Sequence, residues 1–554
     1  MPQKLSLTGK RWIVKQDDIA DSAVAFMRSL FHERNLLGSA RDNILSDPFL
    51  FAEMGRAVER IRAAVDAGET IAIFGDYDAD GITGTAQLVR FFRRRGIEPI
   101  TYLPHRVKEG YGLKNASIDA LKQKGVSLII TVDTGIAAHA ECAYAQTLGI
   151  DVIVTDHHHP VTVVSPDGPT NRPPAHAVIH PLVPSAFPNL HLCGSGVAFM
   201  LVRALEPERS WKGIEEDFVL ATIGTVADLV PLTGENRTLV TWGLSFLESL
   251  PPGPLRDVVN TIRQRDHAIT STDIAFRLAP RINASGRVND PSIALSAILD
   301  GGDAIGQLER FNAERQRLTT HMYAIAETMV DRDAWLLCLG SDTFSAGLAG
   351  LIAGRLTEAY GRPSLVAAFD GNRAIASLRS IPSYDIMHAL RHAAVAPLLQ
   401  TCGGHRQAAG CTFDVRNFEQ LKEALKAAMH SSGLEPELLL PTLTIDAVLK
   451  PADLSLDLWQ AISALEPFGQ ENKEPLFSLT MQTLEGIRCV GEDGKHMQCR
   501  IAGKKAVGFS LGKYADALMS EPVDIAFHIA KDTWNGRHDV QIVINDIRLS
   551  RSTD

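Results

Sequence analysis

No run of eighteen apolar residues occurs in the 554-residue sequence, so no membrane-spanning helix is expected. The opening stretch, MPQKLSLTGKRWIVKQDD, lacks an apolar core of signal-peptide length, which makes the cytoplasm the expected location. Cysteine is scarce. The seven present (Cys142, Cys193, Cys338, Cys402, Cys411, Cys489 and Cys499) include no Cys-x-x-Cys pair. An odd, scattered set argues against a disulfide framework or a zinc ribbon and fits reduced thiols. Basic charge is also short: 55 Lys and Arg against 65 Asp and Glu leave a net charge of -10. That balance argues against broad coating of nucleic acid, though a local basic groove remains open to it. Tandem repeats and low-complexity tracts are absent. What remains is an ordinary globular composition, 45% apolar and 22% charged, in a chain long enough for about two to four domains.

A repeating α/β pattern begins at Glu69. The β-branched, apolar runs TIAIF (70–74), VSLIITV (126–132) and DVIVT (151–155) read as buried strands. Helical spacing separates them, over 83–95, 115–124 and 136–148, with Gly96, Gly125 and Gly149 as stops. Strands alternating with helices predict a doubly wound parallel sheet. The Pro-rich stretch from His159 to Pro188 reads as surface loop with one short strand near Val178. Gly306–Ala334 predicts a long connecting helix, a second α/β unit begins at Trp335, and short strand candidates from Ile445 onward predict a small β-barrel. The expected organisation is an irregular or helical leader over 1–50, a first α/β domain over 51–300, a linker helix over 301–334, a second α/β domain over 335–440 and the barrel over 445–554.

Three of these strands end in acids: Gly75-Asp76-Tyr77-Asp78-Ala79-Asp80-Gly81, Asp133-Thr134-Gly135 and Asp156-His157-His158-His159. The carboxyl edge of a parallel sheet is where ligands bind, so three distant loops would converge on one crevice. Crowded carboxylates repel one another unless a cation lies between them. Carboxylate with imidazole suits Mn²⁺, and Mg²⁺ if the carboxylates dominate. Two ions sharing a bridging carboxylate would activate water and stabilise both oxygens of an in-line displacement at phosphorus. Asp228 stands in the apolar stretch GTVADLVPL (224–232) and needs a partner there, most simply a metal. Each acid alone could be a helix cap or turn residue; the coincidence of three strand ends favours a site.

These segments, GDYDADG (75–81), VDTGI (132–136), TDHHH (155–159) and GTVADLVPL (224–232), resemble in order and spacing the four motifs of the DHH phosphoesterases. The resemblance implies that Asp78 and Asp133 hold one metal ion and that Asp80, Asp133, His157 and Asp228 hold a second. It implies that His158 faces the scissile phosphate and that Asp76 and Asp156 orient ligands. Three further stretches are similar to the RecJ exonuclease branch: LAPRINASGR (278–287), Cys402-Gly403-Gly404-His405 followed by Ala408-Ala409-Gly410, and LEPFGQEN (465–472) with Pro475-Leu476-Phe477. They imply a DHH-associated second domain and an oligonucleotide-binding (OB-like) barrel. Asp342–Gly347 departs from the Trp-His-Pro-Gly type of stretch expected there.

Substrate contacts are expected from Arg281, Asn283, Arg287, Arg379, Ser380, Gly403, Gly404 and His405. Guanidinium forks suit phosphate oxygens, and paired glycines let backbone amides approach them. The competing roles are a salt bridge for the arginines and a tight turn for the glycines. The run Arg93-Arg94-Arg95 reads as a helix end favoured by the macrodipole. From Ile445 onward 12 Lys and Arg stand against 16 Asp and Glu, so the barrel is not basic overall. Phe509, Phe527 and Trp534 are candidate stacking platforms, although barrel aromatics are more often core. The implied function is a Mn²⁺- or Mg²⁺-dependent 5′-to-3′ exonuclease that degrades single-stranded DNA to mononucleotides, with a single-strand-binding protein and a helicase as partners. The alternatives are a DHH phosphatase of short oligonucleotides and a non-catalytic DNA-binding protein on the same fold.

Overall fold

The computed structural model describes residues 5–17, 22–34, 36, 45–165, 168–183, 185–206, 213–264, 267–519, 521–532 and 539–550. The chain forms two compact units. One comprises Arg34–Gln316 with Pro467–Lys473, and the other Met1–Glu33, Arg317–Glu466 and Glu474–Asp554.

The first unit is built on five parallel strands, β1 (Thr70–Gly75), β2 (Ile100–Tyr102), β3 (Val126–Val132), β4 (Asp151–Thr155) and β5 (Ala177–Ile179), in the order β2-β1-β3-β4-β5. Because side chains alternate along a strand, β1 feeds two cores. Ile71 and Ile73 join Leu128, Ile130 and Ile153 on one face. Ala72 and Phe74 join Ile129, Val152 and Val154 on the other. Both faces are covered, which is why these strands are apolar throughout rather than alternating. The strand order reverses between β1 and β3, and at such a switch point the loops at the carboxyl ends diverge and leave a crevice. Around the sheet lie helices α1 (Ala79–Arg93), α2 (Gly194–Leu205), α3 (Glu215–Ala227) and α4 (Ala279–Val288). Helix α5 (Asp303–Thr328) carries the chain from this unit into the other.

In the second unit, β6 (Leu337–Ser341), β7 (Ser364–Asp370), β8 (Arg373–Arg379), β9 (Leu399–His405) and β10 (Ala408–Asp414) form a sheet in the order β9-β10-β8-β7-β6. The β6–β7 pair is parallel and the rest are antiparallel. Helix α6 (Ala346–Tyr360) packs on it. A seven-stranded sheet follows: β11 (Ala447–Val448), β12 (Phe477–Gln482), β13 (Glu485–Val490), β14 (His496–Ile501), β15 (Lys504–Gly508), β16 (Val523–Asp532) and β17 (Asp539–Leu549), ordered β11-β12-β16-β17-β15-β14-β13. Among the described residues its end strands do not pair, so the expected barrel is not closed there. The end strand β11, two residues long, is too short to supply a closing ladder.

Within the expected irregular or helical leader Ala23–Glu33 is a helix, but one segment departs from that expectation. Arg11–Val14 is a strand paired in parallel with Thr442–Ile445. Trp12 is buried, and its Nε1–H donates to Asp546 Oδ2 at 2.8 Å, while Thr8 donates to the other oxygen at 2.8 Å. The sequence RWIV is too short to show a period, and its partner lies far away in the chain.

Candidate metal centre

The crevice acids owe their positions to chain geometry. Asp78 is the N-cap of α1, and its carboxylate accepts from the backbone N–H groups of Asp80 (3.0 Å) and Gly81 (3.1 Å). Asp80 follows in the first turn and points to the start of α2. Its oxygens accept from Gly194 N–H at 2.7 Å and Ser195 N–H at 2.9 Å, where the helix dipole favours an anion. Asp76 follows β1 directly and is buried. Asp133 follows β3 with φ of 61°, left-handed for a non-glycine residue, and its N–H donates to Thr155 at 2.9 Å. Asp228 caps the C-terminal end of α3.

His157 stands among them. Its Nε2 is 3.1 Å from Asp133 Oδ1, 3.6 Å from Asp228 Oδ2 and 3.8 Å from Asp80 Oδ2. Donor atoms of Asp76, Asp78 and Asp133 lie within 4.8 Å of one another, as do those of Asp80, His157 and Asp228, and those of Asp133, His157 and His158. Asp76 Oδ1, Asp133 Oδ1 and His157 Nε2 are buried and hydrogen-bond to no described residue. Burial, then neighbouring carboxylates, pushes Asp76, Asp133 and Asp228 well above the ordinary carboxylate range; burial also raises Asp80. Burial holds His157 below its usual range.

Asp156 plays a different part. It accepts from the backbone N–H groups of Ile136 (2.9 Å), His157 (2.7 Å) and His158 (3.1 Å), and its Oδ1 is 2.8 Å from His158 Nδ1. Burial would raise its pKa, but the bond to His158, the charges of His158 and His157 and the Ile136 N–H together outweigh it and hold the carboxyl below the usual range. Burial would likewise lower His158, and Asp156 instead lifts it to about 9.

The chain matches the DHH family, N-terminal domain, over residues 70–226, the DHHA1 domain over 333–431 and the RecJ OB domain over 445–546. The single-stranded-DNA-specific exonuclease RecJ of Salmonella typhimurium is 33% identical over 529 residues, 89% of each chain. The chain belongs to the RecJ family. The Bacillus subtilis RecJ exonuclease is 32% identical over 96% of this chain, which spans 66% of that relative's length. The crystal structure of Thermus thermophilus RecJ in complex with Mn²⁺ aligns with a TM-score of 0.83 at 28% identity, covering 99% of this chain and 80% of that one.

Other expected substrate residues of this RecJ-family chain are held in the fold. Arg281 Nε donates to Glu309 at 2.8 Å and its Nη1 to the Arg277 carbonyl at 2.6 Å. The Asn283 side-chain oxygen accepts from Ala79 N–H at 2.8 Å, which braces the start of α1 beside Asp78. Arg287 lies near Tyr77, over whose ring the Arg106 guanidinium sits at 4.9 Å. In the other unit, the Arg379 guanidinium lies over Gly350 of α6, where a Cβ would stand 3.2 Å from Nη2. Ser380 is buried and its hydroxyl donates to Tyr384. Gly403, Gly404 and His405 are exposed, but they form the edge strand β9 of a hairpin rather than a loop. Gly404, at φ 138°, abuts its partner: a Cβ would lie 2.4 Å from the Ala408 carbonyl. Phe527 is fully buried in the core, Phe509 is 60% exposed, and Trp534 lies outside the described residues.

Two features escaped the sequence. One is Gly194-Ser195, whose amides seat Asp80; a Cβ on Gly194 would lie 2.5 Å from Asp133 Cβ. The small-residue run Cys193-Gly194-Ser195-Gly196 at a helix start was the available signal. The other is Tyr111, whose hydroxyl lies 3.1 Å from His158 Nδ1.

Proposed function

We propose that this chain is a metal-dependent exonuclease that degrades single-stranded DNA from its 5′ end to mononucleotides. The observation carrying the metal centre is the set of buried, unsatisfied atoms Asp76 Oδ1, Asp133 Oδ1 and His157 Nε2 among crowded carboxylates. Buried charges of one sign require a counter-charge, and these donors suit divalent cations. Asp78 and Asp133, with Asp76 beside them, would hold one ion. Asp80, His157 and Asp228, sharing Asp133, would hold the other. Mixed carboxylate and imidazole donors favour Mn²⁺, with Mg²⁺ accepted; Thermus RecJ has been crystallised with each. Bound there, the ions supply Lewis acidity, which polarises a phosphate oxygen and makes a nearby water more acidic.

The chain's own groups do the rest. Asp156 fixes the His158 ring and keeps it protonated at neutral pH, so it presents positive charge to the scissile phosphate. Asn283 and Asp78 fix the start of α1 and with it Asp80. Arg281, Arg287, Arg379 and the Gly403–His405 hairpin are the proposed phosphate contacts. Recruitment by a single-strand-binding protein and a helicase, and a cytoplasmic location, complete the reading; no helix among the described residues is long and apolar enough to cross a membrane.

The test is product analysis on a single-stranded oligonucleotide labelled separately at each end, with Mn²⁺ and with chelator. Early release of 5′-labelled mononucleotide, only with metal, is expected. An intact long strand with cleaved dinucleotides would make the chain a phosphatase instead.

A further inference from the structure

Seven residues, Pro467–Lys473, cluster with Arg34–Gln316 rather than with the chain on either side of them. They form a turn that closes on itself. Gly469 and Asn472 exchange backbone hydrogen bonds of 3.0 and 3.2 Å, and the buried Asn472 amide donates to the Pro467 carbonyl at 2.9 Å. Glu471 within it has φ of 59°, a left-handed conformation that favours glycine. Several of its carbonyls find donors on the first unit. Gln470 accepts from Leu232 N–H at 2.9 Å, Phe468 from the Ser271 hydroxyl at 2.7 Å and Pro467 from Arg237 Nη1 at 3.4 Å. Arg34 Nη1 donates to Asn472 Oδ1 at 3.0 Å. Gly469 comes so close that a Cβ would stand 2.5 Å from Leu232 Cδ1, and Leu232 is itself buried in the core.

Leu232 ends the short connection that leaves α3 at Asp228. On the near side Asp228 N–H donates to the Gly224 carbonyl at 2.9 Å. Leu229 then takes a left-handed φ of 59° with its side chain 66% exposed, so it contributes little packing of its own. The far end is fixed by the Pro231 carbonyl, which accepts from Asn236 at 3.1 Å, and by the bond from Leu232 to Gln470. We infer that the Pro467–Lys473 turn is a positioning element for Asp228: by clamping Leu232 it holds the Asp228 carboxylate within reach of Asp80 and His157. The inference rests on the reading of Asp228 as a metal ligand.

The test uses Gly469→Ala in the full-length protein, with Mn²⁺ binding by calorimetry, steady-state kinetics on a single-stranded oligonucleotide, and thermal unfolding. Affinity for one of two Mn²⁺ ions and kcat should each fall about tenfold, as when a partner of a ligand is disturbed, with KM for DNA within about twofold. Excess Mn²⁺ should restore kcat. If that variant does not fold, Asn472→Ser loosens the clamp without adding bulk and carries the same expectation. Unchanged Mn²⁺ affinity and kcat in a folded variant would overturn the inference. So would a raised KM for DNA at unchanged metal affinity, which would make the turn a DNA contact. Asp228→Asn is measured alongside. Loss of one ion there with normal turn variants removes the positioning role alone; normal binding of both ions removes the reading of Asp228 and the inference with it.

Discussion

His157 Nε2 lies 3.1 Å from Asp133 Oδ1, and neither atom hydrogen-bonds to a described residue. Burial keeps the imidazole below its ordinary range, and burial with the neighbouring carboxylates lifts Asp133 above its own, so both charged forms are disfavoured in this small space. Asp133 also belongs to the group formed with Asp76 and Asp78, so on the proposed reading it would serve both halves of the centre. Asp133→Ala is therefore expected to lower kcat by more than about 100-fold, beyond the loss typical of residues that merely orient ligands. DNA affinity, measured by filter binding or anisotropy, should stay broadly intact. Near-normal turnover would refute a shared ligand.

Asp156→Asn preserves shape but removes the charge that faces His158. One carboxylate accepts three backbone N–H groups and braces the ring, so the amide must present an N–H where an acceptor is needed. A fall in kcat of about 10- to 100-fold is expected, with KM for DNA little changed. Kinetics equal to the parent protein would mean that His158 is oriented by other contacts.

Metal should stabilise the fold as well as the reaction. A ligand that binds only the native state at a hundred times its Kd contributes about 2.7 kcal/mol. For a unit of this size that corresponds to a rise in Tm of about 5 °C. Differential scanning fluorimetry with Mn²⁺ and with chelator should show this rise in the parent and lose most of it in Asp133→Asn. Identical melting curves with and without Mn²⁺ would leave the crowded acids without their proposed counter-charge.

Phe509 is exposed and meets His496 edge-on, with ring centroids 5.4 Å apart, whereas Phe527 packs against Phe477 in the core. Of these two rings, only Phe509 can stack a base without unfolding the sheet. Phe509→Ala should weaken binding of a long single strand by about 1–3 kcal/mol and leave Tm unchanged. Undiminished affinity would place the stacking surface elsewhere.

The parts legible in the sequence were those with a local rule. TIAIF, VSLIITV and DVIVT are apolar because both faces of β1, β3 and β4 are buried, and their following acids then fall on one edge. Asp228 was legible as an acid in an apolar stretch, and it stands at the C-terminal cap of α3. Contacts set by distant packing were not. Gly403-Gly404 suggested a close approach of backbone amides to phosphate or a tight turn, and its place in an edge strand beside β10 was not legible. Arg281 and Asn283 suggested substrate contacts; the bonds they make to Glu309 and to the Ala79 N–H were not legible, because those partners are set by the packing of the fold. Asp76 was expected to orient ligands; that its buried Oδ1 hydrogen-bonds to no described residue and lies beside Asp78 and Asp133 was not legible in the sequence.

The bond from Trp12 to Asp546 joins residues 534 positions apart. At ribosomal speeds of about 5–20 residues per second, the indole waits roughly half a minute to two minutes for its acceptor. Arg34–Gln316, by contrast, is complete in the nascent chain while Thr442 and Asp546 are still unmade. The emerging polypeptide thus carries an unpaired apolar strand, Arg11–Val14, through most of its synthesis. Its pairing must wait for Thr442–Ile445 and is a late event in synthesis.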